Sequence, residues 1–246
     1  MSRKTLSVEL SREDAPDGRF YYANIDLPVG MKALLDDACQ QARFQVDNLG
    51  YREITITGCA DLPQLAEIRL DSPTLEELNY LAYRIGQLSE IERVAMQGVV
   101  KRCLDDGAFD GIVPIQDIIN MTYGLDELNV LVGVDDDFSL GNFVLDNDLD
   151  DDLTGLTENV LDMLDMKQVG RRFREREGGI FIRNCYVSAG EYEFPAVFDG
   201  RNVPKDIYCE DGTVFRLKIG QHSAKHAGGT VERAEWIELP ISREQA

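Results

Sequence analysis

The spacing of apolar and polar residues divides the chain into three stretches of different character. In residues 1–71, the alternating runs Leu6–Leu10 and Phe20–Leu27 predict two strands, and the β-branched run Ile54–Thr57 predicts a third. Apolar residues recur at helical spacing over 31–44, between the second and third strands. This stretch is therefore predicted to be a small N-terminal α/β domain.

Residues 72–166 carry the pattern of successive amphipathic helices. Ser72 is a favourable N-cap with Pro73 at the first helical position, and an apolar stripe with helical spacing follows. Ser89 and Glu92 have the spacing of a capping box for a second helix, which should end near Gly107. Shorter helices are predicted beyond it, over residues 114–124, 139–147 and 157–166. The second stretch is thus predicted to be a mainly helical domain.

From residue 167 onward, short apolar runs are separated by Gly, Pro, Asn and Asp, which is typical of strands joined by turns. The predicted strands are residues 180–182, 185–187, 194–197, 207–209, 214–219 and 236–239. Residues 167–246 are therefore predicted to be a β-rich C-terminal domain. The whole chain is predicted to be an α+β protein with domains 1–71, 72–166 and 167–246.

Charge changes this picture more than any other feature of the composition. The chain has 25 Lys and Arg against 45 Asp and Glu, a formal net charge of −20 and a pI near 4.4. Its apolar fraction of 43% is typical of a folded protein. Direct binding to nucleic acid is not expected, because affinity for phosphates requires Lys and Arg. A basic partner is expected instead.

The negative charge is concentrated in residues 103–166, which we call the acidic segment. It contains 17 acidic residues and no Lys, Arg or His, whereas residues 1–102 have a net charge of −4 and residues 167–246 of +1. At the charge spacing of duplex DNA, these charges correspond to about 29 Å of helix axis. The acidic residues, which are the predicted phosphate-mimicking carboxylates, are Asp105, Asp106, Asp110, Asp117, Asp126, Glu127, Asp135, Asp136, Asp137, Asp146, Asp148, Asp150, Asp151, Asp152, Glu158, Asp162 and Asp165.

Apolar residues alternate with these acids, among them Ile112, Val132 and Phe138. We expect them to anchor a core while the acids remain outside, which distinguishes a rigid display of charge from a disordered acidic tail. A generic acidic surface on an otherwise ordinary protein is the alternative that remains open at this point.

Two patterns suggest metal binding, and neither is complete. Residues 146–152 are rich in Asp, but a calcium loop that begins at Asp150 would have Leu161 at its last position, where a Glu ligand is required. His222 and His226 have a spacing compatible with zinc, but the glycines around them predict exposed loop residues. No metal site and no cofactor are predicted.

The remaining candidate chemistry is weak. Asp199, Asp211 and Lys218 have a loosely nuclease-like composition, but no catalytic motif accompanies them, and the protein is expected not to be an enzyme. The basic cluster Arg171–Arg176 follows the acidic segment and is predicted to pair with it or with another subunit. Since no signal peptide and no apolar run that spans a bilayer is recognised, a cytoplasmic protein without membrane contact is expected.

Three parts of the sequence resemble the ArdA-type antirestriction proteins of conjugative elements and phages. Residues 18–37 (GRFYYANIDLPVGMKALLDD) resemble their opening strand, which is followed by a proline and an acidic helix. Residues 74–81 (TLEELNYL) resemble their ELN helix start, and residues 162–181 resemble their closing helix, Gly-Arg pair and short strand. The resemblance covers about residues 18–183.

This resemblance implies an elongated homodimer that mimics DNA, an anti-defence protein of a mobile genetic element. Such a protein inhibits type I restriction-modification enzymes by occupying their basic DNA-binding groove. The chain departs from the family in its length, with residues 184–246 unaccounted for, and in the uneven concentration of its acids. A CRISPR effector is therefore an alternative target. A protein-interaction adaptor without DNA mimicry, which recognises partners through its C-terminal domain, is the alternative from another class.

Overall fold

The structure is a computed structural model, and it describes residues 4–13, 18–29, 53–161, 163–188, 193–204, 215–222 and 231–239. Helices and antiparallel strands both occur, which confirms a mixed α+β protein. The α-helices of the described residues are α1 (Leu75–Gln87), α2 (Glu90–Asp105), α3 (Ile115–Asn120), α4 (Asp137–Asp146), α5 (Glu158–Leu161) and α6 (Met166–Glu177). Their strands are β1 (Leu6–Arg12), β2 (Tyr21–Leu27), β3 (Glu53–Cys59), β4 (Val130–Val132), β5 (Ile180–Ile182), β6 (Cys185–Val187), β7 (Phe215–His222) and β8 (Val231–Leu239).

Strands β1, β2 and β3 form an antiparallel sheet with β1 in the centre. The alternation of β1 buries Leu6, Val8 and Leu10, whereas the side chains between them are partly exposed. Consecutive side chains of a strand point to opposite faces, so one face of this sheet contributes to the core. The three predicted N-terminal strands are thus confirmed. The predicted helix over 31–44 lies outside the described residues.

Helix α2 begins with the predicted capping box. The Ser89 Oγ accepts a hydrogen bond from the Glu92 N–H at 3.3 Å, and the Glu92 carboxylate accepts one from the Ser89 N–H at 2.7 Å. The pKa of Glu92 is lowered by these hydrogen bonds with Ser89. The helix ends at Asp105, and Gly107 adopts a left-handed backbone with φ of 72°, as the predicted termination requires.

Helix α1 begins two residues later than the sequence predicts. Its N-cap is Thr74, whose Oγ1 accepts a hydrogen bond from the Glu77 N–H while the Glu77 carboxylate accepts one from the Thr74 N–H. The predicted start at Ser72 and Pro73 is wrong. Leu75 stands three residues after Ser72, so Ser72 has no carboxylate with which to form a capping box.

The main core combines the N-terminal sheet with α1, α2 and α3, and it also includes residues of β5 and β6. Gly98 of α2 allows the close approach of β6, because a Cβ at this position would lie 2.8 Å from the Cβ of Val187. Buried residues from all three predicted stretches therefore share this core. The division into three domains remains a prediction.

Residues 193–204 contain an extended segment that α3 holds against the main core. The Asn120 side chain accepts hydrogen bonds from the N–H groups of Val197 (3.1 Å) and Phe198 (2.8 Å) and donates one to the Phe198 carbonyl. The buried Phe198 ring packs edge-to-face against Tyr80 of α1, with centroids 5.6 Å apart. The predicted strand over 194–197 is wrong. The backbone N–H of Val197 donates to the Asn120 side chain and not to a neighbouring strand.

The predicted β-rich C-terminal domain begins with a helix. Residues Met166–Glu177 form α6, in which the apolar residues Val169 and Phe173 lie four positions apart on one side. The predicted helix over 157–166 is confirmed only for α5, because α5 ends at Leu161 and Asp165 caps the separate helix α6. The predicted helix over 114–124 is shorter, ending at Asn120, while that over 139–147 corresponds to α4.

Two further antiparallel sheets contain the remaining strands. Strands β4, β6 and β5 pair in that order, and β5 and β6 match their predicted ranges. Strands β7 and β8 pair as a hairpin, at two of the predicted sites, whereas the predicted strand over 207–209 lies outside the described residues. His222 ends β7, so its predicted place in a loop is wrong. Among the described residues, no helix has the length and apolar character needed to cross a bilayer.

Candidate partner-binding surface

Most of the predicted carboxylates are at the surface of the acidic segment, which extends from the end of α2 to the start of α6. The structure does not describe Asp162 or the side chain of Glu158, and it places Asp137 and Asp150 in less accessible positions. Thirteen carboxylate residues are exposed, namely Asp105, Asp106, Asp110, Asp117, Asp126, Glu127, Asp135, Asp136, Asp146, Asp148, Asp151, Asp152 and Asp165. The segment's own exposed charges are thus all negative and are displayed on a folded scaffold.

The N-terminus of α4 illustrates how the fold fixes these carboxylates. Asp136 is the N-cap, and its Oδ1 accepts a hydrogen bond from the Ser139 N–H at 2.7 Å. The Ser139 Oγ in turn accepts hydrogen bonds from the N–H groups of Asp135 and Asp136, each at 3.1 Å. The backbone hydrogen bond from Ser139 is the main cause that lowers the pKa of Asp136. Asp136 therefore remains ionised while its position is fixed.

Helices α4 and α6 pack against each other through a pair of glycines. A Cβ on Gly141 would overlap the carbonyl oxygen of Met166, and a Cβ on Gly170 would overlap the carbonyl oxygen of Asp137. The two backbones can be this close only because both positions lack a side chain. A second core, with Val144 and Phe173 among its buried members, extends from this contact.

The basic cluster of α6 pairs with the acidic segment, as one of the two predicted alternatives states. Arg174 binds Asp137 with its Nε 2.8 Å from Oδ1, and Arg171 Nε lies 3.8 Å from Oδ2 of the same carboxylate. Arg176 Nη1 lies 3.2 Å from Oδ1 of the buried Asp150. These two carboxylates therefore hold α6 to the acidic segment, and each has a partner within the chain.

Three exposed carboxylates also form ion pairs. Asp152 lies 3.3 Å from Arg172, and both side chains are at least 70% exposed. On α2, Asp105 pairs with Lys101 at 2.9 Å, and Asp106 pairs with Arg102, each over one helical turn. Solvent screens such pairs and their contribution to stability is small, so a partner's cations can replace the internal ones at little cost.

Sequence reasoning missed the exposure of several apolar residues in the acidic segment. Ile112, Val132 and Phe138, which were expected in the core, are 56%, 64% and 56% exposed. Four more exposed apolar residues follow, namely Leu149, Leu156, Val160 and Met163. The spacing of the acids does not separate them from the buried residues, because Val113 and Val134 lie equally close to acids and are buried.

The remaining candidate residues are those of the Asp-rich run and of the loosely nuclease-like set. In that part of the chain, no group of three or more His, Cys, Asp or Glu side chains is positioned to hold a metal ion. Within the Asp-rich run, the Asp150 Oδ1 accepts a hydrogen bond from the Asp152 N–H, as in a turn. The Asp199 Oδ1 likewise accepts a hydrogen bond from the Arg201 N–H. Asp211 lies outside the described residues.

No protein-family model matches the chain, and no curated protein matches it at a significant level of similarity.

Proposed function

We propose that the protein is a DNA-mimicking inhibitor that occupies the DNA-binding groove of a restriction-modification enzyme, with type I enzymes as the target. The observation that carries the proposal is the charge of the acidic segment. It has 17 acidic residues and no basic residues, and 13 of the acidic residues are exposed. A groove that binds DNA is lined with Lys and Arg, and these side chains pair with carboxylates as well as with phosphates.

The fixed positions of the carboxylates support this proposal. Asp136 and Asp165 are helix N-caps, and Asp105 and Asp106 lie at the end of α2. A surface that is already ordered loses little conformational entropy when it binds, in contrast to a disordered acidic tail. The α4–α6 contact through Gly141 supports the same part of the surface.

Asp137 and Asp150 are not part of the proposed surface. Their carboxylates have arginine partners within the chain and are mostly buried, so replacing those partners would cost stability. The remaining exposed carboxylates compete with DNA for the groove, and the complementary fields of the two proteins accelerate their encounter. In an elongated homodimer, two acidic segments would extend the length of groove that is covered.

Inhibition of DNA cleavage tests the proposal. We expect purified protein titrated into a type I restriction-modification reaction to abolish cleavage, and excess DNA to restore it. The triple variant D146N/D148N/D151N removes three exposed carboxylates of the acidic segment and should inhibit at least about tenfold less well. The matched control E13Q/E53Q/E67Q removes three exposed carboxylates elsewhere and should inhibit like the natural protein.

Each other outcome has a definite consequence. An absence of inhibition by the natural protein would overturn type I enzymes as the target and direct the same titration to CRISPR effectors. Equal losses in the two triple variants would show that net charge, and not the acidic segment, causes inhibition.

Truncation after Pro204 retains β6 and Phe198 in the main core. Inhibition should survive this truncation, whereas its loss would favour the adaptor function.

A further inference from the structure

Exposed apolar residues interrupt the acidic segment in its last part. The exposed fractions are 44% for Leu149, 37% for Leu156, 43% for Val160 and 84% for Met163. Single exposed apolar residues are ordinary on protein surfaces. Four within residues 149–163, among acids, form a local pattern that charge display alone does not require.

The backbone places Val160 and Met163 on the same side of the chain. The Val160 N–H donates to the Thr157 carbonyl at 2.8 Å, and the Met163 N–H donates to the Val160 carbonyl at 3.1 Å. Residues three apart in such successive turns are neighbours. Leu161 and Leu164, by contrast, are partly buried. The exposed pair therefore forms one apolar contact area toward solvent.

The charges around this pair determine what can cover it. Residues 146–165 contain eight acidic residues and no basic ones, and Asp148, Asp151 and Asp165 are among those that are exposed. A symmetric contact with a second copy of the chain would bring these carboxylates against one another. A partner that buries Val160 and Met163 must therefore bring positive charge to the same surface.

We infer that Val160 and Met163 are the apolar anchor of a docking surface for a basic protein segment, of which an amphipathic helix with Lys and Arg around a row of Leu is the simplest form. The inference rests on the proposed function and deepens it, because it assigns the partner an apolar contact beside the cations of its groove. The contribution of this contact persists at high salt, since burial of apolar area does not depend on screened charge.

Two labelled helical peptides provide the test, both with Lys at the same positions. One has Leu along its apolar row and the other has Ser there. We expect the full-length protein to bind the Leu peptide at least about tenfold more tightly than the Ser peptide in a fluorescence anisotropy titration. The variant V160S/M163S should bind both peptides equally. The control I91S changes a residue of α2 that is 48% exposed and should retain the preference.

The outcomes separate this inference from the proposed function. Equal affinity of the natural protein for the two peptides would overturn the docking surface, whatever the enzyme titration shows. A preference for the Leu peptide without inhibition of any restriction enzyme would support the docking surface and overturn the decoy. If the natural protein dimerised and V160S/M163S abolished that dimer, the occupant would be a second copy, and the inference would be overturned.

Discussion

Arg174 of α6 donates two hydrogen bonds to Asp137, the first residue of α4, with Nε 2.8 Å from Oδ1 and Nη2 3.3 Å from Oδ2. The Asp137 side chain is only 12% exposed. Its hydrogen bond raises the pKa of Arg174 above the ordinary value of a guanidinium. A carboxylate within the acidic segment thus stabilises the fold, while its neighbours Asp135 and Asp136 are exposed.

The variant R174Q should unfold more easily than the natural protein. It leaves the mostly buried Asp137 carboxylate without its closest cation, so we expect the free energy of unfolding in urea to fall by about 1–3 kcal/mol. The control R172Q breaks an exposed pair with Asp152 and should change this free energy by less than about 1 kcal/mol. Equal effects of the two substitutions would show that the Arg174–Asp137 pair is no more important than a surface pair.

The variant G141A should disrupt the packing of α4 against α6. Its methyl group would overlap the Met166 carbonyl oxygen, which belongs to the backbone and cannot rotate away. We expect a loss of at least about 3 kcal/mol in the free energy of unfolding. The control G86A lies in α1, where a methyl group would meet only Thr5 Cγ2 at 3.7 Å. It should stabilise the protein by about 0.5–1 kcal/mol, because alanine is the better helix former. An unchanged free energy of unfolding in G141A would contradict the close contact between α4 and α6.

Tyr186 should make the stability of the protein sensitive to alkaline pH. Burial is the main cause that raises its pKa to about 12, and the negative charge of Glu177 contributes. The unfolded chain loses this proton near pH 10, whereas the folded protein keeps it. The contribution of the protonated Tyr186 to the free energy of unfolding is therefore complete below about pH 10. As the pH rises from about 10 to about 12, the free energy of unfolding falls by about 1 kcal/mol per pH unit.

The variant Y186F isolates this effect. The buried Tyr186 hydroxyl makes no hydrogen bond within the described part of the chain, so its removal should leave stability at pH 7 unchanged or raise it by about 1 kcal/mol. Thermal unfolding from pH 7 to pH 11 should show a shallower alkaline decline for Y186F. Parallel profiles would mean that Tyr186 does not cause the decline, and a large loss at pH 7 would reveal a hydrogen bond of its hydroxyl.

Salt should weaken the complex between the protein and its target enzyme. If carboxylates pair with the cations of a groove, the logarithm of the affinity should fall as the logarithm of the salt concentration rises. The slope should be shallower for D146N/D148N/D151N than for the natural protein, because fewer charge pairs form. A salt-independent affinity, measured by calorimetry, would exclude electrostatic mimicry as the basis of binding.

Local sequence signals predicted local structure well. Ser89 and Glu92 specify the start of α2 through their own side chains, and Gly107 marks its end. The Thr74–Glu77 capping box was also present in the sequence, and the competing Ser72-Pro73 signal obscured it. Helix α6 was missed because its four arginines leave only a narrow apolar side.

The roles of individual carboxylates could not be predicted from sequence. Asp137 and Asp136 are adjacent in the chain, yet one binds an arginine 37 residues away and the other is an exposed N-cap. Asp150 likewise depends on Arg176, 26 residues away. Such differences arise from tertiary packing of α4 against α6, which depends on Gly141 and Gly170 and has no separate signal in the charge pattern.

The most direct test of the decoy mechanism is displacement of a labelled DNA duplex from a purified type I restriction-modification enzyme by this protein at equilibrium. The proposal predicts complete displacement at saturating protein, with a midpoint that increases linearly with the DNA concentration and with the released duplex chemically unchanged. Continued binding of the duplex in the presence of excess protein would contradict occupation of the DNA groove.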